Sequence, residues 1–200
     1  LFVALHCSIL SASEVIFLSK FEPETIIDHL SDVTVMMGVP THYIRLLDDS
    51  RFNHDLCAHM RLFTSGSAPM SAPVHEKFQK QTGHQILERY GMTEAGIITS
   101  NPLLGERIPG TVGFPLPGME LRVSQDGREC DFDELGVVEI QGDHLFAGYW
   151  RRAPPTASNS SDQLTSLPAS KSAINASRSR GDAMTLSGIR FDPFKARGLP

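Results

Sequence analysis

Cysteine is scarce in this sequence. The 200 residues hold three, Cys7, Cys57 and Cys130, with no Cys-x-x-Cys spacing among them. So odd and scattered a set excludes a disulfide framework and a zinc knuckle, and it suits a reducing compartment. Positive charge is also in short supply. Lys and Arg total 18 against 23 Asp and Glu, a formal net charge of -5. The chain therefore lacks the basic face that neutralises a nucleic-acid backbone. No apolar run reaches the roughly 18 residues of a membrane span; the apolar opening stretch, 1–18, is interrupted by His6 and Glu14 and has no basic leader.

Several reactive signatures are absent as well. The eight histidines never fall into a His-Glu-x-x-His pattern, which removes the usual zinc hydrolase. No Gly-Lys-Ser/Thr follows a glycine-rich turn, and no Gly-x-Ser-x-Gly elbow is present, so neither a Walker loop nor a hydrolase nucleophile is offered. The acidic turn at Asp131, Asp133 and Glu134 has no glycine where a calcium loop needs one.

What is present is a folding composition, 40% apolar and 20% charged, with room for a real core. Short apolar runs at 15–18, 33–37, 60–64 and 84–90 predict strands. They alternate with predicted helices at 1–10, 23–30, 43–47 and 72–81. Pro23 suits a helix first turn, Thr41 and Ser71 are placed to cap helices, and Gly83 to end one. Beyond Gly91 the pattern turns rich in Gly and Pro. Strands at 119–124 and 137–141 flank an Asp126-Gly127 turn signal. The expected architecture is α/β: part of a doubly wound sheet over 1–101, then a small β unit over 102–152. A Ser/Ala/Pro-rich stretch over 153–200 reads as a disordered tail.

Two constellations carry chemistry. Thr64-Ser65-Gly66-Ser67-Ala68-Pro69 joins a predicted strand to a helix, a small-residue turn whose N–H groups and hydroxyls can meet an anion or a base. Glu88-Arg89-Tyr90-Gly91-Met92-Thr93-Glu94 closes the next strand, hence the same sheet edge. It offers an aromatic face, a hydroxyl, a carboxylate for a hard cation, and a guanidinium for a carboxylate or phosphate. The plainer alternatives are a structural turn for the first and a surface Glu88–Arg89 ion pair for the second.

The order TSGSAPM, LERYGMTE, RIPGTVGFPLPG and ELGVVEIQGDHLFAGYW resembles the adenylate-forming acyl-CoA synthetase family over 1–152. With MMGVPTHYIRLL it looks most like the malonyl-CoA synthetase subgroup. The resemblance implies ATP, Mg²⁺ and coenzyme A, a small acid such as malonate, and a cytoplasmic location, or a mitochondrial one in a eukaryote. It implies that Gly66, Ser67, Ala68 and Pro69 line the adenine pocket, continued by Glu88, Arg89, Tyr90, Gly91 and Met92. Thr93 would meet the α-phosphate, and Glu94 would hold Mg²⁺; these two are the catalytic pair. Gly113 would lie near the acyl site, with Ser67 beside it. Arg45 and Arg89 are the candidates for a second carboxylate, because a charged acid in a pocket needs a cation. For Arg45 the plainer alternative is a helix residue reaching solvent.

The resemblance also implies parts not found between 1 and 200. These are a Ser/Thr/Gly-rich phosphate loop, a Thr-Gly-Asp stretch after Trp150, and a small domain with an adenylation lysine. The sequence on its own therefore reads as an internal fragment with a foreign-looking tail. Two function classes stay open: an acid–CoA ligase fragment, or a non-catalytic nucleotide-binding module.

Overall fold

The computed structural model describes residues 2–131, 134–146, 150–151, 174–178 and 184–189. They fall into two compact units, Leu1–Leu87 and Glu88–Pro200.

In the first unit, helix α1 spans Phe2–Leu10. Helix α2 (Pro23–His29) starts from an extended Glu22 with Pro23 in its first turn, and a 3-10 turn, Leu30–Asp32, follows it. Strand β1 (Val35–Gly38) leads into α3 (Pro40–Leu46). A short helix α4 (His54–Cys57) is capped by Asn53, whose side-chain oxygen accepts the Leu56 N–H at 3.1 Å. Strand β2 (Leu62–Ser65) and helix α5 (Ala72–Thr82) complete the unit, with Gly83 ending α5 at φ 78°. β1 and β2 are parallel, from Val35 opposite Leu62 to Gly38 opposite Ser65. That is the βαβ arrangement the alternating pattern predicts.

An aromatic cluster fills the space between this pair and its helices. Tyr43, Phe52, Phe63 and Phe78 are all fully buried. Phe78 meets Phe63 at 5.1 Å and Tyr43 at 5.5 Å between ring centroids, both edge to face, the geometry that places positive ring edges on negative faces.

Two expectations fail here. Residues 15–18 form no strand, and Val15, Ile16 and Phe17 are 47%, 38% and 69% exposed. An apolar β-branched run cannot by itself say whether a partner strand lies beside it. Thr41 does not cap α3. The helix begins one residue earlier, at Pro40, whose fixed φ suits the first turn, and the capping position falls to Val39.

Strand β3 (Leu87–Met92) leads into the second unit, where it pairs antiparallel with β4 (Gly96–Ser100). β4 in turn pairs with the short β5 (Phe114–Pro115). A second sheet places β6 (Met119–Gln125) between β7 (Arg128–Glu129) and β8 (Val137–Gly142), all antiparallel. Asp126 and Gly127, both at positive φ (52° and 82°), make the predicted two-residue turn between β6 and β7. The core of this unit is mostly aliphatic: Ala95, Ile98, Val112, Met119, Val123 and Ile140, with Tyr90 and Cys130.

Most of 153–200, together with Asp133, lies outside the described residues. The two described stretches of that segment, β9 (Ile174–Arg178) and β10 (Met184–Ile189), pair antiparallel, with an irregularity between Leu186 and Ile189. No helix among the described residues is long and apolar enough to cross a membrane.

Candidate functional site

In the first unit the small-residue turn leaves β2 at Ser65 and enters α5 after Ser71. Ser65 and Met70 are buried and anchor its two ends, while Ser67 and Ala68 between them are exposed. Ser67 sits at φ 65°, a left-handed conformation that costs a non-glycine residue of order 1 kcal/mol and is retained most often at functional turns. Ser71 occupies the helix-capping position as predicted, but its contribution comes from the backbone. Its carbonyl accepts the N–H groups of Val74 and His75 at 3.0 and 3.1 Å. Beneath the turn, the buried Tyr43 hydroxyl donates to the Thr64 carbonyl at 2.6 Å and lies 3.4 Å from that of Met36. This one hydroxyl ties the ends of β1 and β2 together. Sequence reasoning missed it, because a tyrosine inside an apolar helix face signals only core.

Arg45 lies elsewhere in the unit, exposed on α3. Its guanidinium is 5.0 Å from the centroid of the Phe21 ring. His42, one turn earlier, stacks on the same ring at 4.0 Å with 4° between planes, and its Nδ1 accepts the Val39 N–H at 3.4 Å. Burial, and secondarily the Arg45 charge, hold His42 below the usual imidazole range. Arg45 borders a cleft of about 600 Å³ with Glu22, Glu24, Asp48 and Asp49; none of residues 66–69 lines it.

In the second unit, Glu88, Arg89, Tyr90, Gly91, Met92, Thr93 and Glu94 share one hairpin. The β3–β4 ladder shifts register between Tyr90 and Gly91: Tyr90 faces Thr99, Gly91 faces Ile97, and Ile98 is the extra residue. Such a bulge bends the strand and re-aims the side chains beyond it. At Gly91 a Cβ would lie 2.2 Å from the Gly96 carbonyl oxygen and 2.9 Å from the Ile97 Cα, so only glycine fits. The turn beyond presents Thr93 exposed and Glu94 half-buried. Gly113 makes a similar close approach at the far end of β4. At φ 75° its Cβ would meet the Ser100 carbonyl oxygen at 2.2 Å and the Asn101 nitrogen at 2.3 Å.

Glu88 and Tyr90 are 4% and 8% exposed. Glu88 accepts the Gly110 N–H at 3.4 Å on its side chain, and Asn101 N–H at 3.0 Å on its carbonyl. The buried Asn101 also donates to Thr111 at 2.8 Å and accepts from Ile108 at 3.2 Å, fastening the loop 102–112 onto the hairpin. Sequence reasoning passed over Asn101, which stands outside every motif. Burial, with the nearby Glu94 charge, pushes the Tyr90 phenol up to about 12, so it remains a donor at any ordinary pH. Among the described residues no three His, Cys, Asp or Glu side chains cluster as a metal cage. One carboxylate at an open turn nevertheless fits Mg²⁺, which binds through one or two carboxylates and substrate phosphates, not through an all-protein cage.

Comparisons with known proteins find similar proteins over most of the chain. The family model described as AMP-binding enzyme matches residues 1–150. The mitochondrial malonate–CoA ligase ACSF3 of Xenopus laevis is 39% identical over 185 residues, covering 74% of this chain and 32% of that protein. The crystal structure of ATP-bound MatB from Rhodopseudomonas palustris is 36% identical with a TM-score of 0.78, covering 94% of this chain and 37% of that one. A malonyl-CoA ligase ternary product complex, with methylmalonyl-CoA and AMP bound, is 31% identical with a TM-score of 0.67, covering 89% of this chain and 38% of its own. The chain thus spans about a third of the length of the proteins it matches, and its mixed α/β fold is theirs over that span.

Proposed function

The chain belongs to the AMP-binding enzyme family, and from that premise we propose that it carries the nucleotide- and acid-binding part of an acid–CoA ligase for malonate or another small dicarboxylate. A carboxylate oxygen of the acid attacks the α-phosphorus of ATP, and pyrophosphate leaves. The thiol of coenzyme A then attacks the acyl carbon, and AMP leaves. No side-chain nucleophile is needed, so the protein's task is to hold the reactants in line and to stabilise charge on the phosphate oxygens.

In this reading Gly66, Ser67, Ala68 and Pro69 are assigned to the adenine, as are Glu88, Arg89, Tyr90, Gly91 and Met92. Thr93 donates its hydroxyl to the α-phosphate. Glu94 holds Mg²⁺, which when bound supplies positive charge against the phosphates. Arg45 and Arg89 are assigned to the acid's second carboxylate, and Gly113 to the acyl side. The observation that carries the reading is the bulged β3–β4 hairpin. Its backbone closes on Gly91 and leaves the Thr93 hydroxyl and Glu94 carboxylate at the tip. The ATP, AMP and malonyl names of the similar proteins support it.

The second reading, a nucleotide-binding module without turnover, uses the same hairpin and asks nothing of an acid. Two measurements on the chain decide. ATP binding by calorimetry is expected, weakened at least tenfold by Thr93→Ala; unchanged binding in that variant would overturn the assignment of the hairpin. Malonate-dependent pyrophosphate release with ATP, Mg²⁺ and coenzyme A marks the ligase, whereas ATP binding with no release marks the module.

A further inference from the structure

Arg45 is surrounded by partners it does not take. Glu22, Glu24, Asp48 and Asp49 border the same cleft, and Arg51 close by is paired with Asp49 at 2.7 Å and Asp28 at 3.6 Å. Among the described residues Arg45 makes no ion pair; its neighbour is the face of Phe21. An arginine at an exposed helix position ordinarily samples many rotamers, and ordering it has an entropic cost. Here the quadrupole of one ring opposes that disorder.

The ring is itself held. Phe21 packs against the first unit's core, and it precedes the Glu22–Pro23 start of α2, so its backbone is set by a helix entry. The His42 imidazole lies flat on it at 4.0 Å, and His42 is fixed in turn through the Val39 N–H. Phe21 therefore contacts both a fixed ring and a charged group, three residues apart on one helix.

We infer that Phe21 is a positioning residue for Arg45, holding the guanidinium away from the cleft's carboxylates so that its charge remains available to the second carboxylate of the acid. The inference rests on the reading in which Arg45 meets that carboxylate. It adds that selectivity for a dicarboxylate over a monocarboxylate depends on a ring that touches neither acid.

The test titrates the 200-residue chain with malonate and with acetate, for wild type, Phe21→Leu, Phe21→Tyr and Arg45→Gln. Leucine keeps the apolar packing and removes the π face; tyrosine keeps both. Phe21→Leu is expected to weaken malonate about two- to fivefold, the ratio equivalent to about 0.5–1 kcal/mol for an exposed cation–π contact. Acetate should be unaffected, and Phe21→Tyr should restore malonate binding. A merely structural role would move both acids together. Malonate binding unchanged in Phe21→Leu but lost in Arg45→Gln overturns the role of Phe21 and leaves that of Arg45. Malonate binding unchanged in Arg45→Gln, or absent in wild type, overturns the reading beneath and this inference with it.

Discussion

The two candidate turns are held by different means. In the first unit the turn after β2 rests on side chains: four buried aromatic rings, with the Tyr43 hydroxyl bonded to the strand end. In the second unit the hairpin turn rests on backbone against backbone. Gly91 touches the Gly96 carbonyl and Gly113 touches the end of β4, with no side chain between them. A contact made by side chains can relax when one is trimmed. A contact between two main chains has nothing flexible to move. The first turn should therefore weaken by degrees, and the second should fail on the addition of one carbon.

The largest effect expected is on the side-chain-held unit. Phe78 touches all three other rings of its cluster, and Phe78→Ala should cost about 3–5 kcal/mol through lost burial and a cavity. Urea denaturation gives the magnitude, and amide exchange gives the location. Protection should fall over β1, β2 and α5 and persist over β6 and β8. An equal loss over β6 and β8 would break the comparison.

Next is Gly91→Ala, at about 3 kcal/mol for a methyl group forced against backbone atoms. The change adds apolar surface and a better intrinsic backbone propensity, so a position without close contact would be stabilised by it. The sign of the stability change is therefore the readout. Amide protection should be lost at β3 and β4, and ATP binding should fall with it. A neutral or stabilising outcome would show that the hairpin can spread, and the contrast with the first unit would disappear.

Tyr43→Phe should cost less, about 1–2 kcal/mol. It keeps the ring and its packing but leaves the buried Thr64 carbonyl short of its 2.6 Å donor. The loss should slow nothing in the second unit's hairpin, and it should raise amide exchange at the junction of β2 with the turn. A full-sized loss comparable to Phe78→Ala would mean that the hydroxyl, not the rings, holds the first unit.

This contrast explains what the sequence disclosed. The strand-to-helix turn between β2 and α5 was legible, as were the parallel β1–β2 pair, the Gly83 stop and the Asp126-Gly127 turn, because each depends on local chemistry. Strand β4 was not foreseen. Its five residues, Gly96–Ser100, come after a turn and include two isoleucines and little periodicity, and its pairing is set by the bulge. The short helix α4 escaped for a similar reason: four residues give no period, and the cap at Asn53 is its only signal. The run at 15–18 misled in the opposite direction, since propensity was present and no partner strand lies beside it among the described residues. Arg45 and Arg89 were grouped by charge alone. The structure shows Arg45 on α3 over Phe21, and Arg89 on β3 facing Ser100 across the ladder.

The smallest expected effect concerns pH and belongs wholly to the first unit. His42 has its folded pKa below the unfolded value of 6.5, chiefly through burial and then through Arg45. Between those two values the unfolded chain binds the proton and the folded one does not, so stability rises with pH across that window. The contribution is fully present above about pH 6.5 and is lost as pH falls toward the folded pKa. Protonation also removes the Nδ1 lone pair that accepts the Val39 N–H. Because the ring is partly exposed, solvent screening keeps the effect below about 1 kcal/mol. His42→Asn, whose side-chain oxygen can accept the same N–H, should flatten the part of the stability–pH curve just below about pH 6.5 that is due to this group. Arg45→Gln should move the NMR titration of His42 upward by removing a neighbouring positive charge. A His42 titration that ignores Arg45 would mean the two side chains do not share the Phe21 platform in solution.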